Sequence, residues 1–201
     1  EIMDCLSATS PVEEVVWMAG AQISKSESGN NWVGYVIDEA PGPMLLVQPT
    51  VDNAKRYSKQ RIAPMILETP ELAAKVIDNK SREGGNTILE KEFPNGILLM
   101  GGANSAAGLR SMPIRYLFAD EISNWPADVD GEGDPLELAE ARTTTFGRKR
   151  KVFKCSTPAI RGVCRVEAEY LKTDQRKYFV PCPHCGHYHV LEWVNFIIPK
   201  D

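Results

Sequence analysis

The chain has 201 residues, of which 43% are hydrophobic and 25% are charged, and its formal net charge is −4. This length and balance predict one ordinary globular domain with a sizeable core and room for a small appendage. The sequence predicts no membrane-spanning helix, because no apolar stretch reaches the roughly 18 residues that such a helix needs. The acidic balance gives no general sign of nucleic-acid binding. The first residues, EIMDCLSATS, are not a signal peptide, and since they lack an initial Met we interpret the chain as a fragment.

Short apolar runs alternate with helical patterns along the chain. Strands are predicted at 12–19, 44–48, 88–93, 97–100, 116–119 and 151–156. Helices are predicted around Trp32, after a cap at Thr50, after Thr69 with Pro70 at the first helical position, and over 135–146. Buried strands that alternate with amphipathic helices form crossover units, so the predicted fold class is α/β, with a mostly parallel sheet covered by helices on both faces.

The first strand is followed by AGAQISKSE at 19–27, where a helix begins. A phosphate-binding loop has glycine first and sixth, then Lys and Ser or Thr, because backbone N–H groups must crowd around the phosphates. Aligned on Lys25 and Ser26, the first position is Ala19 and the sixth is Ser24, with Gly20 one step away. The pattern by itself is a weak match, and a chance Lys-Ser after a strand explains it better.

The run RYLFADEISNWP at 115–126 carries an apolar strand directly into Asp120 and Glu121. One interpretation is a solvated strand end. The other is a nucleotide site in which Lys25 neutralises β- and γ-phosphate charge, Ser26 and Asp120 hold one magnesium ion from neighbouring strands, and Glu121 orients the attacking water. The loop and the acidic pair together favour nucleotide hydrolysis.

A third strand, KVFKCS, ends in Ser156 and Thr157 and then Pro158. A hydroxyl at this position could sense the γ-phosphate and relay its loss. The alternative is a plain Ser/Thr turn before proline.

The five cysteines are of two kinds. Cys5, Cys155 and Cys164 are scattered and are interpreted as small buried side chains in a reducing compartment. Cys182 and Cys185, in CPHC, have the spacing of half a zinc site. A reduced pair in an ordinary turn is the alternative.

Set in order, these elements resemble the large subunit of the tailed-bacteriophage DNA-packaging terminase, of the lambda GpA type. The resemblance runs almost from end to end and is carried by EIMDCLS, GAQISKSE, GYVIDEAPGPMLLVQPTVDNAKRYSKQRIAPMI, GANSAAGLRSMPIRYLFADE, CSTPAIRG and TDQRKYFVPCPHCG. It implies a P-loop NTPase-like fold and an ATP-driven motor that moves double-stranded viral DNA into a procapsid.

The resemblance also implies roles for individual residues. Those that match the Walker A loop and bind ATP are Gly20, Gln22, Ser24, Lys25 and Ser26, although similar chains usually carry glycine where Ser24 stands. Asp120 and Glu121 match the Walker B pair, with Ser26 and Asp120 as the magnesium ligands and Glu121 as the catalytic residue. Ser156 and Thr157 match the segment that couples hydrolysis to movement.

Related motors also use an arginine that reaches the γ-phosphate, in several cases from the neighbouring subunit. Arg110 is the first candidate for this catalytic role, ahead of Arg142 and Arg148.

The resemblance further implies the organisation and the partners. Residues 1–175 form the ATPase domain, and 176–201 begin a zinc-ribbon-like insertion whose second cysteine pair lies downstream, so that zinc is expected in the full-length protein.

The implied cofactor is Mg²⁺ with ATP as substrate. The implied partners are double-stranded viral DNA, the terminase small subunit, the portal and procapsid, and further copies of the chain in a ring, in the cytoplasm of the bacterial host and without a membrane. No cluster of acids follows Ser156, so a nuclease domain is expected to be absent.

Two other functions remain open at this point. One is a helicase-like DNA-dependent ATPase, which would share the same three motifs. The other is an inactive prophage remnant, or a zinc-ribbon module that binds nucleic acid.

Overall fold

A computed structural model describes residues 1–76, 87–110, 112–195 and 197–198. Six strands form one sheet: β1 (Glu14–Met18), β2 (Pro43–Gln48), β3 (Glu90–Phe93), β4 (Gly96–Gly102), β5 (Tyr116–Asp120) and β6 (Lys151–Ser156). A separate hairpin contains β7 (Phe179–Pro181) and β8 (Tyr188–Val190). The α-helices are α1 (Ile2–Leu6), α2 (Lys25–Asp38), α3 (Val51–Tyr57), α4 (Ala63–Glu68), α5 (Pro70–Lys75), α6 (Ala106–Leu109), α7 (Pro135–Ala141) and α8 (Arg165–Leu171). A π-helical segment, Ser58–Ile62, joins α3 to α4, and 3₁₀ segments occupy Ile122–Asn124, Thr144–Lys149 and Trp193–Asn195.

The order of strands in the large sheet is β1-β6-β5-β2-β4-β3. Every neighbouring pair is parallel except β3 with β4, which form an antiparallel hairpin at one edge. The predicted α/β class with a mostly parallel sheet is therefore confirmed. Crossover helices cover both faces, which is why the central strands are continuous apolar runs without alternation.

Strand β5 illustrates how the two faces are filled. Tyr116 and Phe118 belong to the cluster beneath α2, whereas Leu117 and Ala119 belong to the cluster on the opposite face. All four side chains are fully buried. The sheet is thus fixed from both sides at the strand that ends in Asp120.

Aromatic contacts hold α2 on the sheet. Trp32 meets Tyr116 edge to face at 5.7 Å between ring centroids, and Phe118 stacks on Phe153 at 5.3 Å. The indole N–H of Trp32 donates to the carbonyl of Leu6 at 3.1 Å, so its one polar group is satisfied in the core.

A buried lysine joins β6 to the helices on the other face. The Lys154 ammonium lies 2.7 Å from Glu169 on α8, 3.3 Å from Glu14 on β1 and close to Glu140 on α7. Burial disfavours the charged form, but the carboxylates outweigh it and raise the pKa of Lys154. Because removing one partner would leave a buried charge uncompensated, this cluster ties four elements together.

The helix ends follow the sequence predictions in part. The Thr50 hydroxyl accepts from the N–H of Asn53 at 3.1 Å, as a cap should, whereas Thr69 makes no such bond. The helix predicted over 135–146 is shorter, since α7 ends at Ala141 and the chain continues in a 3₁₀ segment from Thr144. The stretch predicted to form the helix after Thr69, ETPELAAKVI, extends to Ile77, which lies outside the described residues. Among the described residues, the helices are all too short or too polar to span a bilayer.

Two glycines of α2 allow a matched test of this packing. A methyl group at Gly29 would overlap the ring of Phe118, which the stack on Phe153 prevents from moving. At Gly34 it would lie 3.6 Å from Leu72, an ordinary contact. We expect Gly29→Ala to lower the free energy of unfolding by about 1–3 kcal/mol through overpacking. Gly34→Ala should raise it by up to about 1 kcal/mol, from helix propensity. Urea titrations followed by circular dichroism measure the free energy of unfolding of both variants. Equal changes in the two variants would contradict the overlap with Phe118.

Candidate nucleotide-binding site

The predicted site residues meet at the carboxyl edge of the large sheet. The loop after β1 leads into α2 at Lys25, β5 ends at Asp120, and β6 ends at Ser156. Ligands bind at this edge in open α/β sheets. The expectation that Asp120 lies on the strand next to β1 is wrong, because β6 is inserted between β1 and β5. This insertion places Ser156 and Thr157 between the lysine loop and the acidic pair.

Lys25 is the first residue of α2 and is 5% exposed. Its ammonium donates to the carbonyls of Ala19 at 3.2 Å and Gly20 at 2.6 Å, and to the hydroxyl of Thr157 at 3.1 Å. These acceptors are all neutral oxygens. A buried cation that is held by neutral groups at a helix N-terminus is well suited to receive an anion such as a phosphate.

The loop reaches this form with backbone strain. Ser24 has φ 65° and ψ 21°, and Gln22 has φ 58°, so both lie in the left-handed region. Ser24 occupies the position where a phosphate-binding loop usually has glycine, and the left-handed backbone there explains that preference. A serine in this conformation costs roughly 1–2 kcal/mol. An added Cβ at Gly20 would meet no atom within 4 Å, so space does not require glycine there.

Ser26 and Asp120 meet across the intervening strand. The Ser26 hydroxyl donates to Asp120 Oδ1 at 3.1 Å. The Asp120 carboxylate, on a residue that is 2% exposed, also accepts from Gln48 Nε2 at 2.9 Å and from the Cys155 thiol at 3.1 Å. A hydroxyl beside a carboxylate is the oxygen donor set that Mg²⁺ prefers, so these residues fit the implied ion.

Glu121 adopts the left-handed conformation, with φ 55° and ψ 43°. Its Oε2 accepts from Asn124 at 3.3 Å and from the Ser156 hydroxyl at 3.5 Å. Burial, and then the charge of Asp120, raise the pKa of Glu121 above that of an ordinary glutamate. A carboxylate with a raised pKa at the mouth of such a site can orient a water molecule and accept its proton.

Ser156 and Thr157 connect the two halves of the site. Thr157 accepts from Lys25, while the Ser156 hydroxyl contacts Glu121 and accepts from the N–H of Ser123 at 3.2 Å. The Thr157 hydroxyl therefore contacts Lys25, and the Ser156 hydroxyl contacts Glu121.

Three residues of this site were not identified from the sequence. Gln48 ends β2 as a buried amide, and a polar residue that closes an apolar strand was the available signal. Cys155 was interpreted only as a small buried side chain, yet its thiol contacts Asp120, and burial together with the charge of Asp120 raises the pKa of Cys155 well above its usual value. Asn124 lies three residues beyond Glu121 and has no distinctive pattern around it.

The three candidate arginines lie in different places. Arg110 follows α6, beyond the carboxyl end of β4, and pairs with Glu132 at 2.7 Å. The carbonyl of Arg142 accepts from Ile114, just before β5, and Arg148 lies just before β6, so both are at the opposite edge of the sheet. Of the three, Arg110 alone lies at the edge that carries Asp120.

The CPHC segment forms the turn of the β7–β8 hairpin. The N–H of Cys182 donates to the carbonyl of His187 at 2.8 Å, and the N–H of Gly186 donates back to Cys182 at 2.9 Å. Backbone hydrogen bonds from Cys185 and His184 lower the pKa of the Cys182 thiol. Within the described ranges, no three or more His, Cys, Asp or Glu side chains are grouped to hold a metal ion. The zinc site stays a prediction.

The raised pKa of Glu121 predicts a pH-dependent stability difference. A carboxylate whose pKa is raised on folding loses stabilisation as the pH rises through the folded value. We therefore expect Glu121→Gln to unfold at a higher temperature than the parent at pH 7.5. That advantage should shrink as the pH falls toward 4.5, the ordinary value for glutamate. Thermal melts across this range measure the difference, with the exposed Glu68→Gln as control. A difference in melting temperature that stays constant across this pH range would contradict the raised pKa of Glu121.

The chain is similar in sequence to phage terminase large subunits. The chain is 29% identical over 190 residues to the terminase large subunit of Enterobacteria phage P21, covering 92% of this chain and 29% of that protein. It is 26% identical over 178 residues to the terminase large subunit of Escherichia phage lambda, covering 87% and 28%. The chain thus spans less than a third of the length of these relatives.

Solved structures share the fold. The large terminase ATPase domain of a Thermus phage superposes with a TM-score of 0.57 at 18% identity, over 89% of this chain and 72% of that one. The large terminase of a thermophilic bacteriophage in complex with ADP gives a TM-score of 0.53 at 14% identity, over 78% and 38%. The family described as "Phage terminase large subunit gpA, ATPase domain" matches residues 1–201, and the chain belongs to that family.

Proposed function

We propose that this chain binds ATP with magnesium, hydrolyses it, and so powers the movement of double-stranded viral DNA into a procapsid. The observation that carries this proposal is the contact network at the sheet edge. Lys25, Ser26, Asp120, Glu121, Ser156 and Thr157 take part there in direct side-chain hydrogen bonds. The terminase that was solved in complex with ADP, and that shares the fold, supports a nucleotide as the ligand.

Each residue of the network has a distinct task in hydrolysis. Lys25 exchanges its neutral acceptors for β- and γ-phosphate oxygens, and the N–H groups of the first turn of α2 face the same phosphates. Ser26 and Asp120 would hold Mg²⁺, which when bound neutralises charge on the β- and γ-phosphate oxygens.

Glu121 orients the water that attacks the γ-phosphorus. The water oxygen bonds to phosphorus while the bond to the β–γ bridging oxygen breaks. ADP leaves with that oxygen, and the proton released by the water passes to the Glu121 carboxylate. The raised pKa of Glu121 favours this transfer.

The coupling role of Ser156 and Thr157 is based on their place between the lysine and the glutamate. When the γ-phosphate is lost, the Lys25 ammonium can donate to the Thr157 hydroxyl again, and this contact acts directly on the end of β6. We propose that this change is passed to the loop between β6 and α8.

The full-length protein is proposed to act as a ring of identical subunits at the portal of a procapsid, together with a terminase small subunit. It would work on viral DNA in the cytoplasm of the bacterial host. In this ring Arg110 is proposed to leave Glu132 and reach the γ-phosphate held by a neighbouring subunit. The turn at Cys182 and Cys185 is proposed to supply two of four zinc ligands in the full-length protein.

Two substitutions separate binding from hydrolysis. Lys25→Ala should abolish ATP binding, because it removes the buried cation at the start of α2. Glu121→Gln should bind ATP with the parent affinity, since Asp120 and Ser26 remain, but lose at least about 10²-fold in turnover with the water-orienting group. Fluorescent nucleotide titration and phosphate release measure the two properties, with Glu68→Gln as control. Parent-like hydrolysis by Glu121→Gln would overturn its assigned role.

The role of Arg110 can be tested by mixing subunits. In procapsid-bound rings with DNA, Arg110→Ala should slow hydrolysis by about 10³–10⁵-fold and leave ATP binding intact. Arg148→Ala, at the opposite sheet edge, is the matched control. Mixing Arg110→Ala with Lys25→Ala subunits should restore part of the turnover if the arginine acts between subunits. Silencing by Arg148→Ala instead would transfer the role to that residue.

A further inference from the structure

A cavity of about 270 Å³ opens beside Glu121. One wall consists of Glu121, Asn124 and Gln48, the residue that holds Asp120. The facing wall is the helix that begins with α3 and includes Arg56, Gln60 and Arg61. Lys25 does not line the cavity, but Tyr57 does, and its hydroxyl donates to the Ser26 carbonyl at 3.4 Å, so the cavity adjoins the start of α2.

The helix presents one polar face to this cavity. The lining positions are 53, 56, 57, 60 and 61, which is the spacing i, i+3, i+4, i+7 and i+8 of a single helical face. The face runs from α3 into the π-helical segment Ser58–Ile62. π-helical turns inside longer helices occur frequently at functional sites.

The charge of the cavity favours an anion. The guanidinium of Arg56 donates to Asn53 Oδ1 at 2.8 Å, and within the described part of the chain neither Arg56 nor Arg61 forms an ion pair. The two cations face a single carboxylate, Glu121. Arginine forks match phosphate oxygens in two-point hydrogen bonds. At about 30 Å³ per water, the volume would hold one phosphate ion together with several waters.

We propose that this cavity receives the cleaved γ-phosphate, as inorganic phosphate, on its way out of the site. The proposal rests on the ATP hydrolysis proposed above, and it adds a product-binding subsite on Arg56 and Arg61. No bond is made or broken in this step. Phosphate passes Glu121, the group that received the proton of the attacking water, and is held by the two arginines before it is released.

The test is a titration with inorganic phosphate. The variant is Arg56→Gln/Arg61→Gln, and the control is Lys55→Gln/Lys59→Gln, which removes the same charge from the same helix outside the cavity. Phosphate binding to the ADP-loaded protein is followed by ³¹P NMR, and product inhibition of ATP hydrolysis by added phosphate gives a second measure. We expect the arginine variant to bind phosphate at least about tenfold more weakly, and the lysine control to bind as the parent does.

Three results would overturn the proposal. The first is equal phosphate affinity in the parent and the arginine variant. The second is an equal loss in the lysine control, which would indicate general surface charge. The third is a single-turnover cleavage rate that falls as much as phosphate affinity does, which would assign the arginines to the chemical step. A parent that neither binds ADP nor hydrolyses ATP would refute the proposed function, whereas phosphate titrated without nucleotide would still report on the cavity.

Discussion

The hydrogen bond between Ser26 and Asp120 is the contact on which the site depends. It joins the start of α2 to the end of β5 across the inserted strand β6. Both partners are short side chains, so the contact exists only if the helix and the strand are held at a fixed separation. Any shift of α2 along the sheet would break it, and with it the oxygen pair suited to magnesium.

The core explains how that separation is maintained. Trp32, Tyr116, Phe118 and Phe153 form a continuous aromatic layer between α2 and the central strands. On the other face, Lys154 and its carboxylates fasten β6 to α7, α8 and β1. Because β5 and β6 are buried on both sides, the edge of the sheet where they end is rigid. The side chains at this edge therefore need to span only short distances to meet.

This rigidity also supports the strained backbone of the site. Ser24 and Glu121 are both in the left-handed region, at the two places where nucleotide chemistry is proposed. Residues persist in such conformations only where the surrounding structure fixes them, and such residues are concentrated at functional sites. The Asp120 carbonyl, which precedes Glu121, accepts from the indole of Trp125 at 2.9 Å, and that bond holds the turn in place.

The sequence by itself determined the fold class and selected most residues of the candidate site. Continuous apolar runs at 44–48, 116–119 and 151–156 required burial on both faces, and therefore a parallel sheet. Lys25, Ser26, Asp120, Glu121, Ser156 and Thr157 could be chosen because each comes after an apolar run. The carboxyl ends of parallel strands lie at one edge of the sheet, so residues in these positions are brought together.

Only the tertiary structure decided the order of those strands and the partners of the chosen residues. Local pattern carries no information about which strand lies beside which, so β6 between β1 and β5 could not be foreseen. For the same reason the contacts that bring Gln48, Cys155 and the two arginines of α3 and the π-helical segment to the site could not be foreseen. Each comes from an element that is remote in sequence from Asp120 or Glu121, and long-range packing alone brings it to the site.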